Sequence, residues 1–336
     1  MTPRGSDENS ILKRILGRAA DATQILPGLG IRTGIGDDAA VFRPRAGYET
    51  ILTCDWFLER THFLRDKHPP DAVGWKCLAR AVSDVAAMGG APRCFLLSLA
   101  LPESHTGHWL VEFLGGLRRA ARKFNCVLAG GDTTRQREIL ISVTVVGEVR
   151  TARAVLRSGA QAGDAIYVSG RLGEAELGLR LLRKNKGRAN RQYRLTKKHL
   201  YPEPRLCLGQ WLAHRRLATA MMDLSDGLSS DLPRLCAASG VGALVETRKI
   251  PAVRVSDSNR GLGLDPLQLA LHGGDDYELL FTVPAHKAGM LPGKYGGAAL
   301  TQIGKITENS GLVLLQENGG GRRLDPGGWD PFRMKR

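Results

Sequence analysis

Residues 71–102, DAVGWKCLARAVSDVAAMGGAPRCFLLSLALP, join two patterns that decide the class of fold. Val73, Cys77, Val82 and Val85 recur at helical spacing, which predicts an amphipathic helix over most of 71–89. Past Gly89 and Gly90, RCFLLSLAL (93–101) is apolar almost throughout and predicts a buried strand. Working outward, ETILTCD (49–55) reads as a strand and SILKRILGRA (10–19) as a short amphipathic helix. A helix is expected at 106–124, with strands at 126–129, 139–149 and in DAIYVSG (164–170). The second half continues with helices at 204–217, 227–239 and 265–271, and with strands ATAMMDL (218–224), GALVE (242–246), YELLFTV (277–283) and 299–306. The class is therefore α/β (α+β). A Gly-rich turn, RSGAQAGD (157–164), marks a boundary between domains of 10–150 and 151–336.

Composition narrows the function classes. With 336 residues, 43% of them hydrophobic, the chain can bury two cores, since domains run to roughly 100–200 residues. No apolar run approaches the ~20 residues of a membrane span, and the polar start MTPRGSDENS has no signal-peptide core, so a cytoplasmic protein without membrane partners is expected. Cys54, Cys77, Cys94, Cys126, Cys207 and Cys236 form no CxxC pair and read as reduced core thiols. The formal charge of +15 invites a nucleic-acid reading, but no nucleic-acid-binding signature accompanies it. The densest basic run, RLLRKNKGRANRQYRLTKK (180–198), reads as a helix end and a solvated loop, and no nucleic-acid partner is expected.

Against this basic background the acids stand out. Asp37 and Asp38 follow Gly36 in GIGDDAAVF (34–42), Asp55 ends a strand, Asp84 sits in a helix and Asp132 follows AGG at a strand end. Asp223 and Asp226 flank Ser225 in MDLSDG, and Asp275, Asp276 and Glu278 lie in HGGDDYE. Any one of these motifs is ordinary turn or cap chemistry, and an N-cap explains Ser225 or Asp226 equally well. Together they point to hard oxygen ligands gathered for a divalent metal. Without a His or Cys cluster the metal is Mg²⁺ and the substrate a phosphate ester. No P-loop or protein-kinase motif is present.

The blocks GIGDDAAVF, LTCDWFLERTHF, LARAVSDVAAMGGAPRCFLLSLALP, AGGDTTR, VTVVGEV, RSGAQAGDAIYVSG, MMDLSDGLSSDL, GGDDYELLFTV and IGKIT occur in the order found in thiamine-monophosphate kinases, and over about residues 10–332 the chain resembles that family. Its superfamily includes aminoimidazole ribonucleotide synthetase. The resemblance implies that superfamily's two-domain fold, a homodimer joined through N-terminal β-structure, several Mg²⁺ ions, and ATP-dependent phosphorylation of thiamine monophosphate to thiamine diphosphate. A related synthetase of the superfamily is the alternative, and a binding protein on an inactive scaffold a more distant one.

Residue by residue, the resemblance implies metal ligation by Asp37, Thr53, Asp55, Asp84, Asp132, Asp223 and Asp226, with Cys54 ligating only through its carbonyl. Asp38 is a ligand or an orienter of one. Gly131, Asp132, Arg157 and Ser225 match nucleotide contacts, and Leu114 stands where the family carries an aromatic near adenine. His62, Asp275 and Trp329 match substrate positions; Phe332 competes with Trp329 to cover the ring, and Asp275 replaces a commoner Glu. Asp55 and Asp132 are expected to share ions. Because the acceptor is itself a phosphate, no general base is required and positioning with charge neutralisation suffices.

Overall fold

The computed structural model describes residues 29–184, 193–255, 263–316 and 320–332, with Ile11 and Gly17; the helix expected at 10–19 otherwise lies outside the described residues. The chain divides into two compact units. The first takes residues up to Val85 with Gly90–Ala152, and the second takes Ala86–Gly89 with Arg153 onward. Among the described residues no helix is long and apolar enough to cross a membrane.

The first unit is a four-stranded sheet of β3 (Tyr48–Leu58), β6 (Leu140–Arg150), β4 (Ala91–Leu101) and β5 (Val127–Arg135), in that spatial order. Pairing is antiparallel except between β4 and β5. Helices α1 (Pro70–Ala87) and α2 (His108–Phe124) complete the layer. They touch backbone to backbone: a Cβ on Gly74 would stand 2.0 Å from the Phe113 carbonyl oxygen, and one on Gly116 1.8 Å from that of Asp71. The α1 side of the sheet buries Ile51 and Phe57, while alternate residues of β3, Leu52 and Trp56, are 70% and 57% exposed on the other side. A ribbon of β1 (Ile31–Thr33) and β2 (Val41–Phe42) covers part of that bare side, packing Leu29, Ile31 and Phe42 against Cys94, Val127 and Ala129. The segment GIGDDAA is the loop of this ribbon.

Two expected strand ends fall inside strands. Asp55 lies within β3 because β6 pairs it as far as Leu58, and Asp132 lies within β5 because β4 templates it through Leu101.

The second unit has the sheet order β14 (Gly321–Arg323), β13 (Leu312–Leu315), β9 (Gly242–Glu246), β12 (Ala298–Thr307), β7 (Ala165–Ser169), β10 (Glu278–Val283) and β8 (Ala220–Leu224), with β11 (Lys294–Tyr295) beside β12. Both faces are covered, so β10, lying between β7 and β8, is buried at every residue. Leu280, Val168 and Met222 pack with Leu228, Leu232 and Leu235 of α6 (Leu228–Ser239) and Leu271 of α7 (Pro266–His272). Tyr167, Phe281 and Met221 pack on the other face with Leu208 and Leu212 of α5 (Leu206–His214).

The basic run departs from the expected solvated loop. After α3 (Glu174–Lys184), residues Tyr193–Leu200 form helix α4, in which Thr196 and His199 are buried. The cause is Glu278, a fully buried carboxylate on β10. Lys198 Nζ donates to its Oε1 at 2.5 Å, Arg205 Nε to its Oε2 at 2.6 Å and Ser169 Oγ to its Oε2 at 2.5 Å, with a second Arg205 contact through Nη2. Burial pushes this carboxyl up, but the Lys198 ammonium and the Arg205 guanidinium outweigh it and hold it below the usual glutamate range. Four of the six cysteines are buried, whereas Cys54 and Cys207 are exposed.

Neighbouring glycines of α2 give opposite results on substitution. Gly115→Ala meets no backbone and raises the urea midpoint, since alanine gains about 1 kcal/mol over glycine in a helix. Gly116→Ala drives its methyl into the Asp71 carbonyl and lowers the midpoint, the overpacking cost of about 1–3 kcal/mol outweighing that gain. Glu278→Gln strands two cations and costs about 3–5 kcal/mol at neutral pH. Glu278 stabilises fully above its ordinary pKa of 4.5 and loses that contribution as pH falls through its lower native value, so acid denaturation curves of wild type and Glu278→Gln converge below pH 4.5.

Candidate active site

In the first unit, a cavity of about 540 Å³ gathers Asp37, Asp38, Gly130, Gly131, Asp132, Ser98 and Thr144. Gly131 has φ +155°, and a Cβ there would stand 1.9 Å from the Leu97 carbonyl oxygen, so only glycine lets β5 lie against β4 here. Asp37 Oδ1 accepts the Asp38 N–H at 2.9 Å, which bends the loop so that both acids reach the cavity. Among the described residues no ion pair engages Asp37, Asp38 or Asp132, and all three are exposed. Three anions around one cavity create a negative potential that favours a cation.

The other acids of this unit are held elsewhere. Thr53 Oγ1 donates to Asp84 Oδ2 at 2.5 Å, and Asp55 Oδ1 lies 3.7 Å from Arg80 Nη2, both beneath α1. Asp55 shares its cross-strand row with Val143, Leu97 and Gly131, whereas Asp132 shares the next row with Ser98, Ser142 and Trp56. The pleat therefore aims the two acids at opposite faces. They also occupy opposite edge strands, three strand spacings or about 14 Å apart. The shared ion expected between them is not built within one chain. Cys54 Sγ faces Ser142 Oγ at 3.4 Å. His62 Nδ1 accepts the Leu58 N–H at 3.0 Å, closing the turn after β3. Leu114 is 1% exposed in the core-facing stripe of α2, so it presents no surface to a nucleotide, contrary to the sequence expectation.

In the second unit the structure brings together three segments distant in sequence. The Ser225 carbonyl accepts the Asp275 N–H at 2.8 Å, and the Asp226 carbonyl accepts the Trp329 N–H at 2.9 Å. MDLSDG, HGGDDYE and GGWDPF thus meet at the start of α6. Trp329 remains 39% exposed while pinned by its backbone; Phe332 is 92% exposed. Asp223 is buried on β8. Arg157 lies at the far end of α6, its carbonyl accepting from Ser239 Oγ at 3.0 Å, so this unit does not bring it to Ser225.

Sequence reasoning missed the residues that hold this cluster. Asp231 Oδ2 accepts the N–H groups of Asp226 and Gly227, each at 3.0 Å, fixing the loop from inside α6. Burial pushes the Asp231 carboxyl up to about 7, with Asp226 adding in the same direction. Arg234 Nη1 answers both acids, at 2.5 Å to Asp226 Oδ2 and 2.9 Å to Asp231 Oδ1. Asp276, buried, caps α3 by accepting from Gly173 N at 2.5 Å and Ala175 N at 3.1 Å. The acid at position five after Asp226 in DGLSSD is a local signal for Asp231; Arg234 acts through contacts no short window reveals, and Asp276, expected in HGGDDYE as an oxygen ligand, is taken up by helix N–H groups instead.

Among the described residues no three His, Cys, Asp or Glu side chains stand close enough to enclose a metal ion by themselves. The donor set around the first cavity nevertheless suits Mg²⁺, which is commonly held by one or two carboxylates with substrate phosphates completing its shell.

Comparison with known proteins agrees with this architecture. Residues 36–149 match the AIR synthase related protein N-terminal domain, and residues 161–316 its C-terminal domain. The thiamine-monophosphate kinase of Aquifex aeolicus is 36% identical over 301 residues, covering 89% of this chain and 92% of that protein. The crystal structure of thiamine-monophosphate kinase from Stenotrophomonas maltophilia K279a superposes with a TM-score of 0.79 at 36% identity, over 92% of this chain and 97% of that one. AaThiL complexed with AMPPCP and TMP superposes with a TM-score of 0.76 at 33% identity, over 98% of each. With two domain matches in order and relatives aligned over almost their whole length, the chain belongs to the thiamine-monophosphate kinase family.

Proposed function

We propose that this chain transfers the γ-phosphoryl group of ATP in line to thiamine monophosphate, giving thiamine diphosphate, in a Mg²⁺-dependent reaction. The observation that carries the reading is the carboxylate-lined cavity over the Gly131 backbone, where Asp37, Asp38 and Asp132 stand without internal cations among the described residues. A relative sharing this architecture binds AMPPCP and TMP together, which supports the same pair of substrates here.

Asp37 and Asp132 would hold Mg²⁺, with Asp38 orienting the loop. When bound, Mg²⁺ neutralises charge on the transferring phosphoryl oxygens. The chain's own contribution is geometric. Gly131 lets the polypeptide approach phosphate, and the hydrogen bonds of Asp231 fix the loop that presents Ser225 and Asp226. Asp275 and Trp329 are the substrate residues in this reading, a carboxylate and an aromatic face suiting the cationic heterocycle of thiamine. The acceptor's phosphate oxygen is already anionic, so no side chain need remove a proton.

The same reading makes the enzyme a homodimer. Leu52, Trp56 and Leu96 leave an apolar surface on the bare side of the N-terminal sheet that a second copy would cover. Six free cysteines fit a cytoplasmic setting.

Purified protein incubated with thiamine monophosphate, ATP and MgCl₂ is expected to form thiamine diphosphate, and EDTA to abolish the reaction. Asp132→Asn should lower kcat about 10²-fold with an unchanged melting temperature, the scale of losing one contributor to transition-state charge stabilisation. No thiamine diphosphate from folded wild type would overturn the reading.

A further inference from the structure

Asp275 sits in a turn that helix α4 grips on both sides. Asp275 and Tyr277 both occupy the left-handed region, with φ +67° and +50°, a conformation that non-glycine residues keep only where neighbours over-determine it. The backbone is fixed first: the Asp275 N–H donates to the Ser225 carbonyl at 2.8 Å and the Tyr277 N–H to the Leu224 carbonyl at 2.9 Å. The Asp275 carboxylate is then bracketed. Tyr277 Oη donates to its Oδ1 at 2.7 Å, and the buried ring of His199 sets Nδ1 3.8 Å from its Oδ2. At the end of the turn, Lys198 Nζ donates to Glu278 Oε1 at 2.5 Å, and Arg205 holds the same carboxylate. Consecutive residues of α4 thus face the acid that opens the turn and hold the acid that closes it.

We propose that His199 and Lys198 are positioning residues for Asp275, locking the 275–277 turn so that its carboxylate meets the cationic ring of thiamine monophosphate in one orientation. This rests on the reading of Asp275 as a substrate residue. It gives the second half of the basic run a task in the reaction: α4 is the support of the substrate acid. Because the shorter Asp replaces a Glu at this position in the family pattern, its reach depends more heavily on where the turn is held.

A double-mutant cycle on the full-length enzyme tests the proposal through KM for each substrate. Asp275→Ala is expected to raise KM for thiamine monophosphate about tenfold while KM for ATP stays within about twofold. His199→Ala is expected to raise KM for thiamine monophosphate about fivefold, again sparing ATP, and to add nothing when combined with Asp275→Ala. His199→Gln, which keeps a polar group facing the carboxylate, should recover much of the loss. Tyr277→Phe removes a single hydroxyl and serves the same cycle if His199→Ala does not fold. A His199→Ala or Tyr277→Phe effect that falls equally on ATP, or that adds in full to Asp275→Ala, overturns the positioning role while leaving Asp275 a substrate residue. A wild-type KM in folded Asp275→Ala removes Asp275 from the substrate site, and the proposal with it, while leaving kinase activity in place.

Discussion

An ionised carboxylate withdrawn from water costs several kcal/mol unless cations are withdrawn with it, and Glu278 at the head of β10 imposes that condition on the second unit. Meeting it requires Lys198 from α4, Arg205 just before α5 and Ser169 from β7 to converge on one point of the sheet. The path of the chain between α3 and α5 follows from this electrostatic requirement more than from helix propensity. The turn carrying Asp275 is anchored by the same ions, so Asp275, the substrate acid of the proposed reading, inherits its position from a buried charge three residues away.

Sorting the acids by partner separates those that support the fold from those available for chemistry. Glu278, Asp226 and Asp231 face Arg or Lys side chains within 3 Å, and Asp276 is occupied by helix N–H groups. Asp55 has Arg80 at 3.7 Å. Asp37, Asp38 and Asp132 keep no such partner among the described residues and look into one cavity. In a chain with 15 more basic than acidic residues, leaving three carboxylates uncompensated in one place is a selective arrangement. It suits a ligand that brings its own positive charge and adds further anions.

Much of this was legible in the sequence wherever the signal was local. The helix and strand of 71–102, the loop of GIGDDAAVF and the apolar run of β10 follow from periodicity and from Gly and Asp chemistry. What stayed hidden depends on residues far apart in the chain. The extension of β5 through Asp132 is dictated by the length of β4, and helix α4 by a glutamate 80 residues away. The burial of Leu114 follows from α2 pressing against α1 through Gly74 and Gly116. The separation of Asp55 from Asp132 needs strand order and pleat parity, neither of which is encoded in either motif.

The bare side of the N-terminal sheet carries a kinetic consequence. A lone folded chain exposes Leu52 and Trp56 on β3, a strand with one edge unpaired among the described residues, in the arrangement that promotes indiscriminate strand pairing. An isolated chain with this face bare is therefore the species most open to such pairing. In the proposed homodimer its lifetime would be set by how soon a second copy covers that face, which would make concentration during synthesis as consequential as the stability of the finished fold.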